Sequence, residues 1–249
     1  MKTFGIILLA TLFFIPTLWG AELLFIDFEN TSFIDKSQYN HTITALGSVS
    51  LSNTDARFGS KSGYFQGGYL TINNSGNRLN FDINTYTIEF WIKPLNLSQQ
   101  YIVHKDTYWY DVSVETMGDG GGIYRSYKNP ANNWTITGGA GKLQLNQWNH
   151  MAAVRNGSTQ YLFINGVLVN MAFYSGSFTS DAGNLYIGRN YVESGDLQAY
   201  LDDIHIVDTA LYTTNFNPNP NPIPEQQTFF MLILTIGIAQ ILRACIGPK

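Results

Sequence analysis

Charge is scarce in this sequence. Asp, Glu, Lys and Arg make up 13% of its 249 residues, against roughly 25% in an ordinary soluble domain. The 14 basic and 18 acidic side chains leave a formal charge of -4, which excludes a basic, phosphate-gripping surface and with it a nucleic-acid partner. Cysteine is nearly absent, and Cys245 has no second thiol to pair with, so no disulfide framework exists. From about Glu22 to Asn215 no stretch keeps a helical period, and long apolar runs occur only at the two ends. Catalytic signatures are missing as well. His41, His104, His150 and His205 fall into no HExxH helix, no GxSxG elbow occurs, and the glycines at 120–122 precede no helical pattern that could cradle a phosphate. Disorder is nevertheless excluded, because 45% of the residues are hydrophobic and 14% aromatic.

The ends read as targeting segments. Residues 1–21 carry Lys2, an apolar run broken by Pro16, and small residues at Gly20 and Ala21, the layout of a signal peptide. A retained membrane anchor is the competing reading. Residues 217–227 form a Pro/Asn-rich linker, an extended spacer. In 228–249, Thr228 to Leu242 gives 15 uncharged residues, about 22 Å of helix, ahead of Arg243. This tail reads as a hydrophobic helix that anchors to or spans the membrane with its basic end inside, or else as a buried terminal helix of the domain. Pro224-Glu225-Gln226, the spacer, the apolar run and the basic end together resemble the PEP-CTERM sorting signals read by exosortases of Gram-negative bacteria, with Gln226 where the second proline would stand. The expected location is extracytoplasmic, secreted or cell-surface, tethered through the C-terminal helix. The exported body contains no Cys, so its folding must rest on packing or ions.

That body, 22–216, is a string of short strand-like runs punctuated by Gly, Asn, Ser and Asp. Ile164-Asn165-Gly166-Val167 carries type I′ hairpin chemistry, and Gly118 to Gly122 joins a second pair of runs. The pattern predicts an all-β, two-sheet antiparallel sandwich. A period of two sets Ile88, Phe90 and Ile92 on one face, with Glu89, Trp91 and Lys93 on the other. It sets Tyr110, Val112 and Val114 against Trp109, Asp111, Ser113 and Glu115. The same period puts Asp202 on the core side with Ile204 and Ile206, and Asp203 and His205 away from it.

Seven segments carry a family resemblance. They are Leu24 to Phe28, Phe58 to Gly67, Tyr86 to Ile92, Trp148 to Arg155, Leu162 to Gly166, Leu201 to Ile206 and Ala210 to Phe216. In this order they resemble the laminin-G-like, concanavalin A-like jelly-roll domains of bacterial and phage surface proteins. The resemblance implies a jelly-roll fold and a role in binding or adhesion. It also implies one structural calcium ion held by Asp27 and Asp202, although backbone N–H groups could equally satisfy Asp202. A polysaccharide or glycoprotein is the expected ligand, with an envelope protein as the alternative partner. The candidate ligand residues are Glu89, Trp91, Trp109, Asp111, Tyr127 and Trp134, since flat rings beside hydrogen-bonding carboxylates suit a sugar. Packing of the same tryptophans onto a sheet is the competing reading. The laminarinase-type E-x-D-x-x-E strand does not occur. Asp111 and Glu115 stand about 13.6 Å apart on an ideal strand, too far for paired catalytic carboxylates. The sequence therefore predicts a binding module rather than an enzyme, with a structural surface protein or a glycoside hydrolase as alternatives.

Overall fold

The computed structural model describes residues 20–82, 85–105, 112–128, 133–173, 182–190 and 196–218, with backbone alone for 126–128 and 133–141. The expected signal peptide and C-terminal tail lie outside these residues. The chain forms strands β1 (Glu22–Ile26), β2 (Ile43–Leu46), β3 (Val49–Ser52), β4 (Ser62–Gln66), β5 (Tyr69–Ile72), β6 (Thr85–Pro94), β7 (Gln100–Lys105) and β8 (Val112–Thr116). It continues with β9 (Gly121–Lys128), β10 (Asn133–Lys142), β11 (Asn149–Asn156), β12 (Thr159–Ile164), β13 (Val167–Phe173), β14 (Leu185–Ile187) and β15 (Gln198–Val207). Among the described residues there is no helix, and so none long and apolar enough to cross a membrane.

The strands make the expected two antiparallel sheets. The seven-stranded front sheet runs β10-β9-β8-β7-β14-β5-β2. The eight-stranded back sheet runs β13-β12-β11-β6-β15-β4-β3, with β1 added beside β15. The core lies between them, and alternation explains who enters it. Ile88, Phe90 and Ile92 of β6 meet Val112 and Val114 of β8, as the period of two predicts. Each such side chain contributes about 1.5–3 kcal/mol through burial. The Asn165-Gly166 turn has positive φ at both residues, the geometry its sequence favours.

β15 departs from simple alternation. Asp202 is paired with Trp91 and His205 with Glu89, so Asp203 and Ile204 of β15 stand opposite the single Phe90 of β6. This β-bulge, with Asp203 at φ 44°, resets the parity. Leu201, Ile204 and Ile206 all enter the core, and Asp202 lies with Trp91 on the outer face, not on the core side.

After β15 the chain folds back over the outer face of the back sheet. Leu211 donates its N–H to Thr87 Oγ1 at 3.0 Å, and Phe216 donates to the Gly166 carbonyl at 2.9 Å. The rings of Tyr212 and Phe216 stack at 3.6 Å and pack with Ala210 over Ala152, Val154 and Phe163. Gly166 is required beneath this arm, because a Cβ there would stand 2.0 Å from the Phe216 carbonyl oxygen.

Candidate functional site

The outer face of the front sheet gathers polar and aromatic groups in register. Arg125, Ser113, His104, Tyr186, Thr71 and Thr44 face one another in a row from β9 to β2. In the adjoining row Tyr101 of β7 pairs with Glu115 of β8. β7 supplies both Tyr101 and His104 because a register shift lets Ile102 and Val103 enter the core together. The two outward rings then meet edge to face, with centroids 5.3 Å apart.

Glu115 is the electrostatic centre of this face. Arg125 Nε stands 2.7 Å from its carboxylate, and Ser113 Oγ and Gln99 Nε2 donate to it at 3.2 Å each. Burial raises the Glu115 pKa, and the Arg125 charge with the two donors offsets only part of that rise. His104 is pushed down to about 3 by burial and by the Arg125 charge, so its imidazole is neutral across the ordinary pH range. Burial and the Glu115 charge raise Tyr101, against a hydrogen bond with Asn190, so its phenol keeps its proton. At the far side the Arg189 guanidinium lies 3.9 Å over the Tyr69 ring, and Tyr69 lies 6.5 Å from Tyr186. Tyr69, Tyr101 and Tyr186 are half-buried. Ser113, His104, Glu115, Arg189 and Asn190 are buried around these rings. The groups within a ligand's reach are therefore the three tyrosines and the exposed Gln99. Ring surface beside an amide suits a polyhydroxylated ligand.

The six ligand candidates from the sequence do not form one site. Trp109 and Asp111, just ahead of β8, lie outside the described residues. Tyr127 and Trp134 are register partners across β9 and β10 of the front sheet, described by backbone only. Glu89 and Trp91 belong to β6 of the back sheet, and both are buried. Their side of β6 was assigned correctly, but neither presents itself to solvent. Trp91 sits 4.2 Å beneath the Arg57 guanidinium and 5.2 Å from the His150 ring. Glu89 contacts His205 Nδ1 at 3.0 Å and His150 Nε2 at 3.3 Å, and accepts from Tyr212 Oη at 2.9 Å. Against the effect of burial, the two histidines hold the Glu89 carboxyl well below the usual range. The segment after β15, which strand periodicity does not reveal, closes over this network.

The expected calcium ligands, Asp27 and Asp202, each have protein partners on their carboxylates. Lys36 Nζ occupies Asp27 Oδ2 at 2.6 Å, and the neighbouring Glu29 accepts the N–H groups of Ser60 and Lys61. Asp202 accepts three backbone N–H groups, from Arg57 at 2.8 Å, Phe58 at 3.1 Å and Asp203 at 3.0 Å. Among the described residues no group of three or more His, Cys, Asp or Glu side chains could hold a metal. The lysine on Asp27 and the backbone donors on Asp202 take up carboxylate oxygens that a cation would need.

Several members of the front face escape a sequence reading. Alternation alone reaches Ser113, Glu115, Arg125 and Tyr186. Tyr101 and His104 are hidden by the irregularity in β7. Arg189 and Asn190 follow Gly188, at φ 97°, beyond the end of β14 and outside any strand pattern.

The laminin G type 3 family model, described as the concanavalin A-like lectin/glucanases superfamily, matches residues 62–215. No curated protein matches the chain. Among solved structures, the binding domain of botulinum neurotoxin serotype C1 superposes with a TM-score of 0.62 at 15% identity, covering 77% of this chain and 49% of its own. The binding domain of Paraclostridial Mosquitocidal Protein 1 gives 0.64 at 16% identity over 77% and 50%. The binding domain of botulinum neurotoxin DC in complex with SialylT gives 0.61 at 16% identity over 77% and 48%. The chain spans about half the length of each, and at such identity the likeness is one of fold.

Proposed function

This chain belongs to the concanavalin A-like lectin/glucanase family, and from that premise we infer that it is a non-catalytic saccharide-binding module. It grips a polysaccharide or glycoprotein glycan on the outer face of the front sheet. Export through residues 1–21 and attachment at the cell envelope through 228–249 belong to the same reading. The observation that carries it is the group of half-buried Tyr69, Tyr101 and Tyr186 on one sheet face, set around the buried His104 and the Glu115–Arg125 pair. Tyrosine rings stack on the C–H faces of a sugar and the exposed Gln99 meets its hydroxyl edges. The buried Glu115 and Asn190 hold Arg125, Gln99 and Tyr101 in place. Trp109 and Asp111, which precede β8 in the sequence, and Tyr127 and Trp134, register partners in β9 and β10, remain candidates for contact with the glycan. Glu89 and Trp91 are not among them.

Support also comes from the solved structures of similar fold, which are themselves binding domains, one of them in complex with SialylT. A glycan array probed with the wild-type chain and with Tyr101→Ala and Tyr186→Ala tests the reading. Hits should weaken about tenfold or more in either variant, with no reducing ends released from the bound glycans. Hits that survive both substitutions would remove this face as the site, and released reducing ends would make the chain a glycoside hydrolase. A protein-contact role has one observation of its own. The edge strand β13 exposes Val167, Met171 and Phe173. Concentration-dependent self-association in size-exclusion chromatography, without any glycan hit, would favour that second reading.

A further inference from the structure

The back sheet carries a second aromatic surface, at the end of β15 away from the C-terminal arm. On β4, Gly63 and Phe65 face the core while Tyr64 faces outward, and on β15 Ala199 and Leu201 enclose Tyr200 in the same way. Tyr64 and Tyr200 are register partners, and Tyr200 is also opposite Lys93 of β6. The two phenol rings stack face to face at 4.6 Å with planes 17° apart, so each covers one face of the other and their edges and hydroxyls form a shared shelf. The arm after β15 covers Glu89, but at this end both tyrosines are half-exposed.

Each side of the shelf is lined for hydrogen bonding. On one side Gln66 and Gln198 are paired and exposed, with Gln198 Oε1 accepting from Asn96 at 2.8 Å. On the other, Lys93 pairs with Asp55, which also accepts the Trp148 indole N–H at 2.9 Å. The Lys93 and Asp55 charges cancel, and a compensated pair flanked by amides gives no attraction for an ionic ligand. Stacked rings rimmed by phenol hydroxyls and amide donors and acceptors complement a neutral sugar, whose C–H groups pack against the rings while its hydroxyls reach the polar rim.

We propose that Tyr64 and Tyr200, flanked by Gln198 and the Lys93–Asp55 pair, form a second binding subsite for neutral saccharides, on the opposite sheet from the first. The chain then holds two glycan segments at once and cross-links polysaccharide. The proposal shares only its ligand class with the front-sheet reading, so the two can fail separately.

Isothermal titration of the full chain with cellohexaose, laminarihexaose and maltohexaose tests it. At least one hexaose should bind at two sites per chain. Tyr64→Ala/Tyr200→Ala should abolish one site or weaken it about tenfold or more. The companion Tyr64→Phe/Tyr200→Phe should keep it, since the rings remain. Tyr101→Ala/Tyr186→Ala should affect only the other site. Gln198→Ala, an exposed change with little reach into the core, should weaken the shelf site and guards against a misfolded double variant. Binding that is unchanged in Tyr64→Ala/Tyr200→Ala overturns the proposal, as does no binding of any hexaose at about 10 mM. Loss of one site in that variant, with Tyr101→Ala/Tyr186→Ala fully active, would keep the shelf and discard the front face.

Discussion

Asp202 sits at the start of a β-bulge with three backbone N–H groups on its carboxylate. Burial, with the charge of Asp203 beside it, still pushes its pKa up to about 8, against an ordinary 3.8. In the unfolded chain the group ionises near its ordinary value, so between 3.8 and about 8 the folded state binds more protons. Stability from this residue therefore falls as pH rises through that window. Asp202→Asn should flatten the decline of melting temperature between pH 5 and 8. The same residue decides the calcium question. A cation at a hundredfold excess over its dissociation constant would add about 2.7 kcal/mol, a shift easily read by thermal denaturation. With Asp27 held by Lys36 and Asp202 by backbone donors, the expected melting temperature is the same in calcium and in chelator. A calcium-dependent rise that disappears in Asp202→Asn would restore the ion to this place. Sequence periodicity misplaced Asp202 for a physical reason. It assumes one residue per pleat, which holds for Ile88, Phe90, Ile92, Val112 and Val114 but fails across an inserted residue. The irregularity in β7 hid Tyr101 and His104 in the same way, while Glu115 and Ser113, on a regular strand, were legible.

At the scale of the element, the segment after β15 gives the back sheet a covered outer face. Its motif, Ala210 to Phe216, was visible in the sequence as part of the family resemblance, but its place over Glu89 was not, since nothing in a strand pattern says what lies across a sheet. Beneath it His205 contacts Glu89 Oε1 at 3.0 Å and stands 3.6 Å from Glu22 Oε2. Burial alone would lower its pKa, but the two carboxylates win and push it up to about 9. A raised histidine contributes its full stability below its ordinary 6.5 and loses that contribution as pH climbs toward 9. Glu89, held low, acts in the opposite sense, losing its contribution only as pH falls through the acid range. Arm residues 208–218 should therefore lose amide protection against hydrogen exchange between pH 6.5 and 9, ahead of the core strands. His205→Gln should be less stable at pH 6 and should show no such alkaline loss. A wild-type arm that stays equally protected at pH 6 and pH 9.5 would contradict this coupling.

For the whole molecule, the first and last strands close the sandwich together. Glu22 pairs with Val207, and Asp208 donates its N–H to the Ala21 carbonyl at 3.1 Å, so the last strand ends where the first begins. The arm then carries the chain across the sheet to Gly166. The core uses side chains from both sheets and no disulfide, since Cys245 is the chain's single cysteine. Stability is then a matter of packing, distributed between the main core and the smaller cluster of Ala152, Val154 and Phe163 under the arm. Two truncations separate these contributions. Ending the chain at Pro218 removes no residue of either cluster and should leave the melting temperature unchanged, with or without reductant. Ending it at Val207 strips Tyr212 and Phe216 from Phe163 and exposes the Glu89–His205–His150 network to water. That loss should resemble Phe163→Ala, a large-to-small change worth about 3–5 kcal/mol, and should lower the urea midpoint accordingly. If the chain ending at Val207 melts like the one ending at Pro218, the arm is an ornament on a self-sufficient sheet. If the chain ending at Pro218 is itself unstable, residues beyond it complete the fold.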